Sequence, residues 1–267
     1  MVNNLAKLYS DQGKLAEAEA MYVRALQGKE EALGLKHSST LNTVNNLGNL
    51  YADQGKLDEA KAMYFRALQG KEEVLGPKHT STLNMVNNLA KLYSDQGKLA
   101  EAEAMYVRAL QGKEEVLGQE HPSTLTSMAD LASIYRNQGR WKEAEELFVR
   151  VIETRKRMLS EEHPSTLNSM ANLALMYRNQ AQWKEAEELE VRVIEIRKRV
   201  LGEEHPDTLA SIANLALTYR YQGRWKEAEE LEVRVIEMRK RVLGKKHPDT
   251  LESMRNLAFI REVIVKA

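Results

Sequence analysis

Residues 1–20 read MVNNLAKLYSDQGKLAEAEA, and residues 85–104 spell the same twenty letters again. The copy runs further: residues 1–34 and 85–118 differ only in Ala32 against Val116. A recurrence at 84 residues suggests a shorter period, and the histidines supply it. All six, His37, His79, His121, His163, His205 and His247, stand 42 residues apart. Tyr9, Tyr51, Tyr93, Tyr135, Tyr177 and Tyr219 keep the same step, as do Ala18, Ala60, Ala102, Ala144, Ala186 and Ala228. Self-similarity at a fixed period of this length is the signature of a repeat architecture.

Each period contains two helical patterns. From about Ser39 to Asp53, the residues Leu41, Val44, Leu47, Leu50 and Tyr51 recur at helical spacing on one face. A second helix is predicted from about Leu57 to Leu75. Gln54, Gly55 and Lys56 form a short turn between them, and Gly76 closes the second helix where positive φ is needed. Pro122, Pro164, Pro206 and Pro248 fit the first helical position, where a missing N–H costs nothing. Asp207 and Asp249 beside them suit the positive end of the helix dipole. Ala60 and Ala67 mark a close approach of two helices. Such a pair cannot bury its apolar face alone, so successive units must stack.

The totals agree with an all-helical chain. Its 267 residues include 39 Lys+Arg and 39 Asp+Glu, with five prolines and 6% aromatics. Balanced charge gives no support to nucleic acid or an anionic membrane as partner. The absence of cysteine excludes disulfides, thiolate catalysis and cysteine-ligated zinc. No apolar run approaches the ~20 residues of a membrane span, and no signal-peptide pattern opens the chain, so a cytoplasmic location is expected by default.

Leu47, Gly48, Tyr51, Ala60, Tyr64 and Ala67 match the spacing of the tetratricopeptide-repeat signature. The 42-residue form, with LGxxHPxT between units, resembles the kinesin light chain repeats and the repeat arrays of nucleotide-binding immune-type receptors of fungi and bacteria. The resemblance covers essentially the whole chain. It implies an all-α, right-handed superhelical solenoid of stacked antiparallel helix pairs, six pairs plus one terminal helix. The chain is then one repeat array, 1–267, with units at about 1–36, 37–78, 79–120, 121–162, 163–204 and 205–246 and a half unit at 247–267. The repeats fall into two sub-families: the first three carry Gly28, Gly70 and Gly112 inside the second helix, and the next three carry Trp141, Trp183 and Trp225 at its start.

The columns that vary between repeats carry the functional reading. One reads Asn42, Asn84, Thr126, Asn168, Ala210 and Glu252. Seven residues on, it is Lys7, Asn49, Lys91, Ser133, Leu175, Leu217 and Phe259. Four further on, it is Asp11, Asp53, Asp95, Asn137, Asn179 and Tyr221. Steps of seven and four keep these on one face of the first helix. A ladder of Asn4, Asn46, Asn88, Asn172, Asn214 and Asn256, interrupted by Asp130, shares that face. The resemblance places this face in the concave groove, where the residue matching Asn46 bonds a ligand's backbone. An amide suits that task, offering donors and an acceptor together. The expected peptide-binding groove is thus Asn4, Lys7, Asp11, Asn42, Asn46, Asn49, Asn84, Asn88, Lys91, Asp130, Asn172, Leu175, Asn214, Leu217 and Asn256, polar at first and more apolar later. A clamp for a terminal carboxylate would need Lys at the position of Asn45 and is not expected.

Bland readings are assigned to the rest. The histidines, one per unit and roughly 10 Å apart along a stack, are read as structural residues at helix starts, not metal ligands, and no cofactor is expected. The runs Arg155–Arg157, Arg197–Arg199 and Arg239–Arg241 are read as a solvated, charge-paired face. The three glycines are read as bends or tolerated weak points, and the tryptophans as packing. Glu190 and Glu232 stand at a usual aromatic position, either partly exposed or compensated by Arg178 and Arg220. No catalytic constellation is present, so the chain is expected to be a non-enzymatic scaffold binding a protein or peptide. The alternative is a structural rod self-associating end to end through its terminal helices.

Overall fold

The histidine that recurs every 42 residues is a helix cap. His37 Nδ1 accepts the backbone N–H of Ser39 at 3.1 Å, and His79, His121, His163, His205 and His247 do the same for Ser81, Ser123, Ser165, Asp207 and Asp249. An amide at the second helical position has no partner within its own helix, and the cap supplies one. Three residues after the cap, Thr40, Thr82, Thr166, Thr208 and Thr250 donate to the carbonyls of Gly34, Gly76, Ser160, Gly202 and Gly244. Each of these threonines is buried and ties the end of one helix to the start of the next.

The computed structural model describes residues 2–266, without the side chain of Asp11. Among the described residues there are thirteen α-helices: α1 Val2–Asp11, α2 Leu15–Leu33, α3 Ser38–Asp53, α4 Leu57–Leu75, α5 Thr80–Asp95, α6 Leu99–Leu117, α7 Pro122–Asn137, α8 Trp141–Leu159, α9 Pro164–Asn179, α10 Trp183–Leu201, α11 Pro206–Tyr221, α12 Trp225–Val242 and α13 Pro248–Lys266. Six pairs and one terminal helix follow, as the periodicity predicts. The turn between α3 and α4 depends on one backbone angle, φ = +74° at Gly55, which a residue without Cβ adopts at no cost, and Ala181 takes a positive φ at the same place in the fifth pair.

The helices form two compact units, Met1–Gly139 and Arg140–Ala267. Within each, every helix packs on the next in the chain. Ala18, Ala60, Ala102, Ala144, Ala186 and Ala228 are completely buried, as residues must be where two helices approach closely. Val44, Leu47, Leu50, Val86, Leu89 and Leu92 fill the core of the first unit, and Ile194, Ile212, Leu215 and Val235 lie at the centre of one core cluster in the second.

Three expectations change. First, Lys156, Arg157, Lys198 and Arg199 lie at or near the surface, but the leading arginine of each basic run does not. Arg155, Arg197 and Arg239 are buried. They share a column with Lys71 and Lys113, which are only 1% and 2% exposed. Each of the five cations reaches hydroxyl or carbonyl groups of the neighbouring first-type helix and is solvated by them in place of water. Second, Gly70 and Gly112 are not weak points. A Cβ on either would lie 2.6 Å from a methyl of Leu41 or Leu83, so these glycines permit close packing. Third, Glu190 and Glu232 are buried. Arg178 Nη1 lies 3.3 Å from Glu190 Oε1, and the Thr218 hydroxyl donates to Oε2 at 2.6 Å. Arg220 does not compensate Glu232. It lies over the rings of Tyr221 and Phe259, and Glu232 receives the Asn256 amide at 3.2 Å.

Candidate functional site

Asn49, Asn88 and Lys91 of the expected groove come together in the first unit. With Ala52, Asp53, Tyr64, Leu92 and Asp95 they line a cleft of about 350 Å³ between α3, α4 and α5. The Tyr64 ring is buried at its base, and its phenol donates to Asn49 Oδ1 at 2.7 Å. Burial, and then the charges of Asp53 and Asp95, hold that phenol above its ordinary pKa. Tyr64 therefore stays a neutral hydrogen-bonding group that orients Asn49. Asp53, Asp95 and Lys91 are exposed at the rim, and none of them is in a salt bridge among the described residues. The cleft thus offers two carboxylates, one ammonium and two amides over an apolar floor.

The asparagine ladder has a second occupation. Asn88 Nδ2 donates to Asn45 Oδ1 at 2.7 Å, and Asn87 Nδ2 to Asp130 Oδ2 at 3.3 Å. Asn45 Nδ2 reaches Asn46 Oδ1 at 3.5 Å. Consecutive first-type helices are therefore bonded to each other through the residues expected to face a ligand. Asn88 keeps its Oδ1 and one amide hydrogen for anything that enters. Asn42 faces outward but spends its Oδ1 on the buried ammonium of Lys71, at 2.7 Å. Asn84 is exposed beside it, and Asn4 and Lys7 are exposed on α1. The side chain of Asp11 lies outside the described residues.

The corresponding face of the second unit has another character. Leu175 and Asn214 line a small hollow with Ala171, Glu190, Val193 and Ser211. Asn172 and Leu217 are half-buried, and Asn256 gives an amide hydrogen to Glu232. Tyr221 and Phe259 stand half-exposed. Trp183 stacks on Tyr221 at 5.4 Å with an interplanar angle of 1°, and Trp225 meets Phe259 at 6.4 Å. This face carries leucine side chains and aromatic rings where the cleft of the first unit carries amides and charges.

Asn45, Asn87 and Tyr64 are the positions that sequence reasoning passed over. Their signal was present: the column Asn3, Asn45 and Asn87 becomes Ala129, Ala171 and Ala213 at the change of sub-family. Among the described residues no three His, Cys, Asp or Glu side chains are placed to hold a metal ion, and no helix is long and apolar enough to cross a membrane.

The paired helices, the buried alanines and the glycine turns define a helical repeat scaffold. The tetratricopeptide-repeat profile matches residues 1–73, 39–115, 81–157, 125–199 and 165–241, and the chain belongs to that family. No curated protein matches it in sequence. Among solved structures it is similar to the nearly identical TPR-like repeats of a putative kinesin light chain of Podosopora anserina. That match has 32% identity and a TM-score of 0.66, covering 78% of this chain and 98% of that one. BtubC (BKLC) from P. vanneervenii shares the fold at 21% identity and a TM-score of 0.69, over 89% of this chain and 93% of that one. So does a signal transduction ATPase with numerous domains and a tetratricopeptide repeat sensor, from Pyrococcus horikoshii. It has 12% identity and a TM-score of 0.70, over 98% of this chain and 38% of that one.

Proposed function

We propose that the chain is a protein-interaction scaffold whose first unit holds an extended peptide segment in the cleft of Asn49, Asn88 and Lys91. One observation carries this reading: the cleft gathers polar groups with unspent capacity. Among the described residues Asp53, Asp95 and Lys91 are in no salt bridge, and Asn88 gives only one amide hydrogen, to Asn45. An extended backbone presents N–H and C=O groups in alternation, which an amide can satisfy at once. Side-chain selection then falls to Asp53 and Asp95, which favour a basic residue over an acidic one.

A peptide-display screen against the full chain tests this reading. Selected peptides should bind at least tenfold more weakly to Asn88→Ala and to Asp53→Asn/Asp95→Asn, both of which keep wild-type helicity by circular dichroism. Equal affinity for wild type and both variants would remove the cleft as the binding site.

A second reading, end-to-end self-association, is favoured by a separate observation. Leu5 and Leu8 of α1 and Leu251 and Met254 of α13 are exposed, whereas their counterparts Leu47, Leu50, Leu209 and Ile212 are buried in every case. Sedimentation over a wide concentration range decides it. A concentration-independent monomer rules this reading out.

A further inference from the structure

The turn inside each helix pair ends on a cation in five of the six repeats: Lys14, Lys56, Lys98, Arg140 and Arg224. Its role is visible at Lys56 and Arg224. Lys56 Nζ lies 3.0 Å from Glu19 Oε2 of the preceding repeat and 5.3 Å from the centre of the Tyr51 ring. Arg224 Nη1 reaches both oxygens of Glu187, at 2.9 and 2.8 Å, and its guanidinium lies 3.9 Å from the Tyr219 ring. The same glutamates also receive Gln54 Nε2 at 3.1 Å and Gln222 Nε2 at 2.9 Å. Cation, glutamine and tyrosine together hold one carboxylate.

The fifth repeat keeps the carboxylate and the ring but lacks the cation. Gln182 stands where the lysine or arginine should be, preceded by Ala181 at φ = +59° where the other repeats have glycine. Glu145 takes the place of Glu19 and Glu187 and is in no salt bridge among the described residues. It receives only the Tyr177 phenol, at 2.7 Å. Gln180 Nε2, the counterpart of the donors from Gln54 and Gln222, is buried and has no partner among the described residues. Gln182 also lines an open hollow of about 610 Å³, walled by the stacked rings of Trp183 and Tyr221 and by the oppositely charged neighbours Lys184 and Glu185. Burial first, then the bond to Glu145 and the charges of Glu145 and Glu185, push the Tyr177 phenol up to about 12, so it stays a neutral donor to Glu145.

We propose that this turn is a receptor site for an arginine side chain of a partner protein. Its guanidinium takes the place left by the missing cation, over the Tyr177 ring and paired with Glu145, and its stem lies along the Trp183–Tyr221 stack. Arginine fits better than lysine because a planar fork can meet both carboxylate oxygens and the ring face together, as Arg224 does one repeat later. The site belongs to the second unit, on a turn between paired helices, and shares no residue with the cleft of the first. It stands or falls independently of that cleft.

The probe is the tripeptide acetyl-Gly-Arg-Gly-amide, titrated against the full chain while the indole N–H resonance of Trp183 is followed by NMR. The citrulline tripeptide, which has the same shape without the charge, is the control. The arginine peptide should shift the Trp183 resonance saturably and at least tenfold more tightly than the citrulline peptide. Glu145→Gln should weaken it by a similar factor. Gln182→Arg fills the site from within, and it should abolish the shift and raise the melting temperature of the second unit. The proposal is overturned if the citrulline peptide binds equally well. It is also overturned if Gln182→Arg leaves both the titration and the melting temperature unchanged.

Discussion

Lys71 in the first unit and Arg197 in the second occupy the same place in the 42-residue period, and both are buried. They solve one problem in two ways. Arg197 donates to Asn168 Oδ1 at 2.5 Å, to Ser211 Oγ at 2.7 Å and to the Asp207 carbonyl at 3.0 Å. Lys71 has a single nitrogen, which reaches Asn42 Oδ1 at 2.7 Å and Ser81 Oγ at 2.5 Å. Its usual hydroxyl partner is absent, because Met85 stands in the column otherwise filled by Thr43, Ser127, Ser169, Ser211 and Ser253. The Arg197 fork meets amide, hydroxyl and carbonyl oxygens together, whereas the Lys71 ammonium, with no hydroxyl at position 85, meets two side-chain oxygens from two helices. The repeat plan therefore fixes that a cation is buried here, and the local sequence fixes how it is solvated.

The largest effect that could break this comparison is expected from Arg197→Ala. It strands three acceptors and leaves a cavity, at a cost of about 3 kcal/mol. Trp141, Trp183 and Trp225 all lie in the second unit, so tryptophan fluorescence in urea reports its unfolding selectively. Lys113→Met should cost the first unit far less, read by circular dichroism. Lys113 Nζ has one hydroxyl partner, Ser127, at 2.9 Å, and burial pulls its pKa down to about 8. Equal losses in the two units would mean that the two solutions are equivalent.

The second effect is a pair of pH slopes of opposite sign. Burial holds the Glu232 carboxyl above 4.5, so above that pH the folded state binds the proton more tightly than the unfolded chain. Stability then falls as pH rises from 4.5 through the folded value. Lys113 is lowered from 10.5 to about 8, so between those values the unfolded chain holds more protons and stability rises with pH. Glu232→Gln should flatten the acid-side slope of the second unit and raise its urea midpoint at neutral pH. Lys113→Met should flatten the alkaline-side slope of the first. Urea midpoints measured from pH 4 to 10.5 check both slopes. An unchanged acid-side profile in Glu232→Gln would mean that this carboxylate is solvated after all.

These groups also mark how far the sequence could be read. The period of 42, the helix pairs and the helix-start role of the histidines were legible because each is repeated six times, and noise does not repeat. The groove columns were legible as a face, since helical spacing alone fixes which residues share one. What was not legible is how side chains divide their bonds. Asn88 gives one amide hydrogen to Asn45, and Asn256 gives one to Glu232. Neither pairing follows from spacing within one helix, because each depends on the offset between two. The basic runs misled for the same reason: three consecutive cations on a helix point in three directions, and only the leading arginine of each points inward.

The smallest effect distinguishes two glycines that the period makes equivalent. Gly28 and Gly70 both lie in the interior of a second-type helix, where alanine is better by about 1 kcal/mol. A Cβ on Gly28 meets nothing within 4 Å, so Gly28→Ala should stabilise the first unit by up to about 1 kcal/mol. A Cβ on Gly70 lies 2.6 and 2.9 Å from the two methyls of Leu41, a side chain fixed in the core. Overpacking of that kind costs about 1–3 kcal/mol, enough to reverse the sign, so Gly70→Ala should destabilise by about 1 kcal/mol. The second unit has Thr154, Ile196 and Met238 in this column, so its helix pairs meet without that close approach. Urea midpoints of the two alanine variants, measured by circular dichroism, carry the test. If both rise, Leu41 yields to the new methyl and close packing is not what keeps Gly70 a glycine.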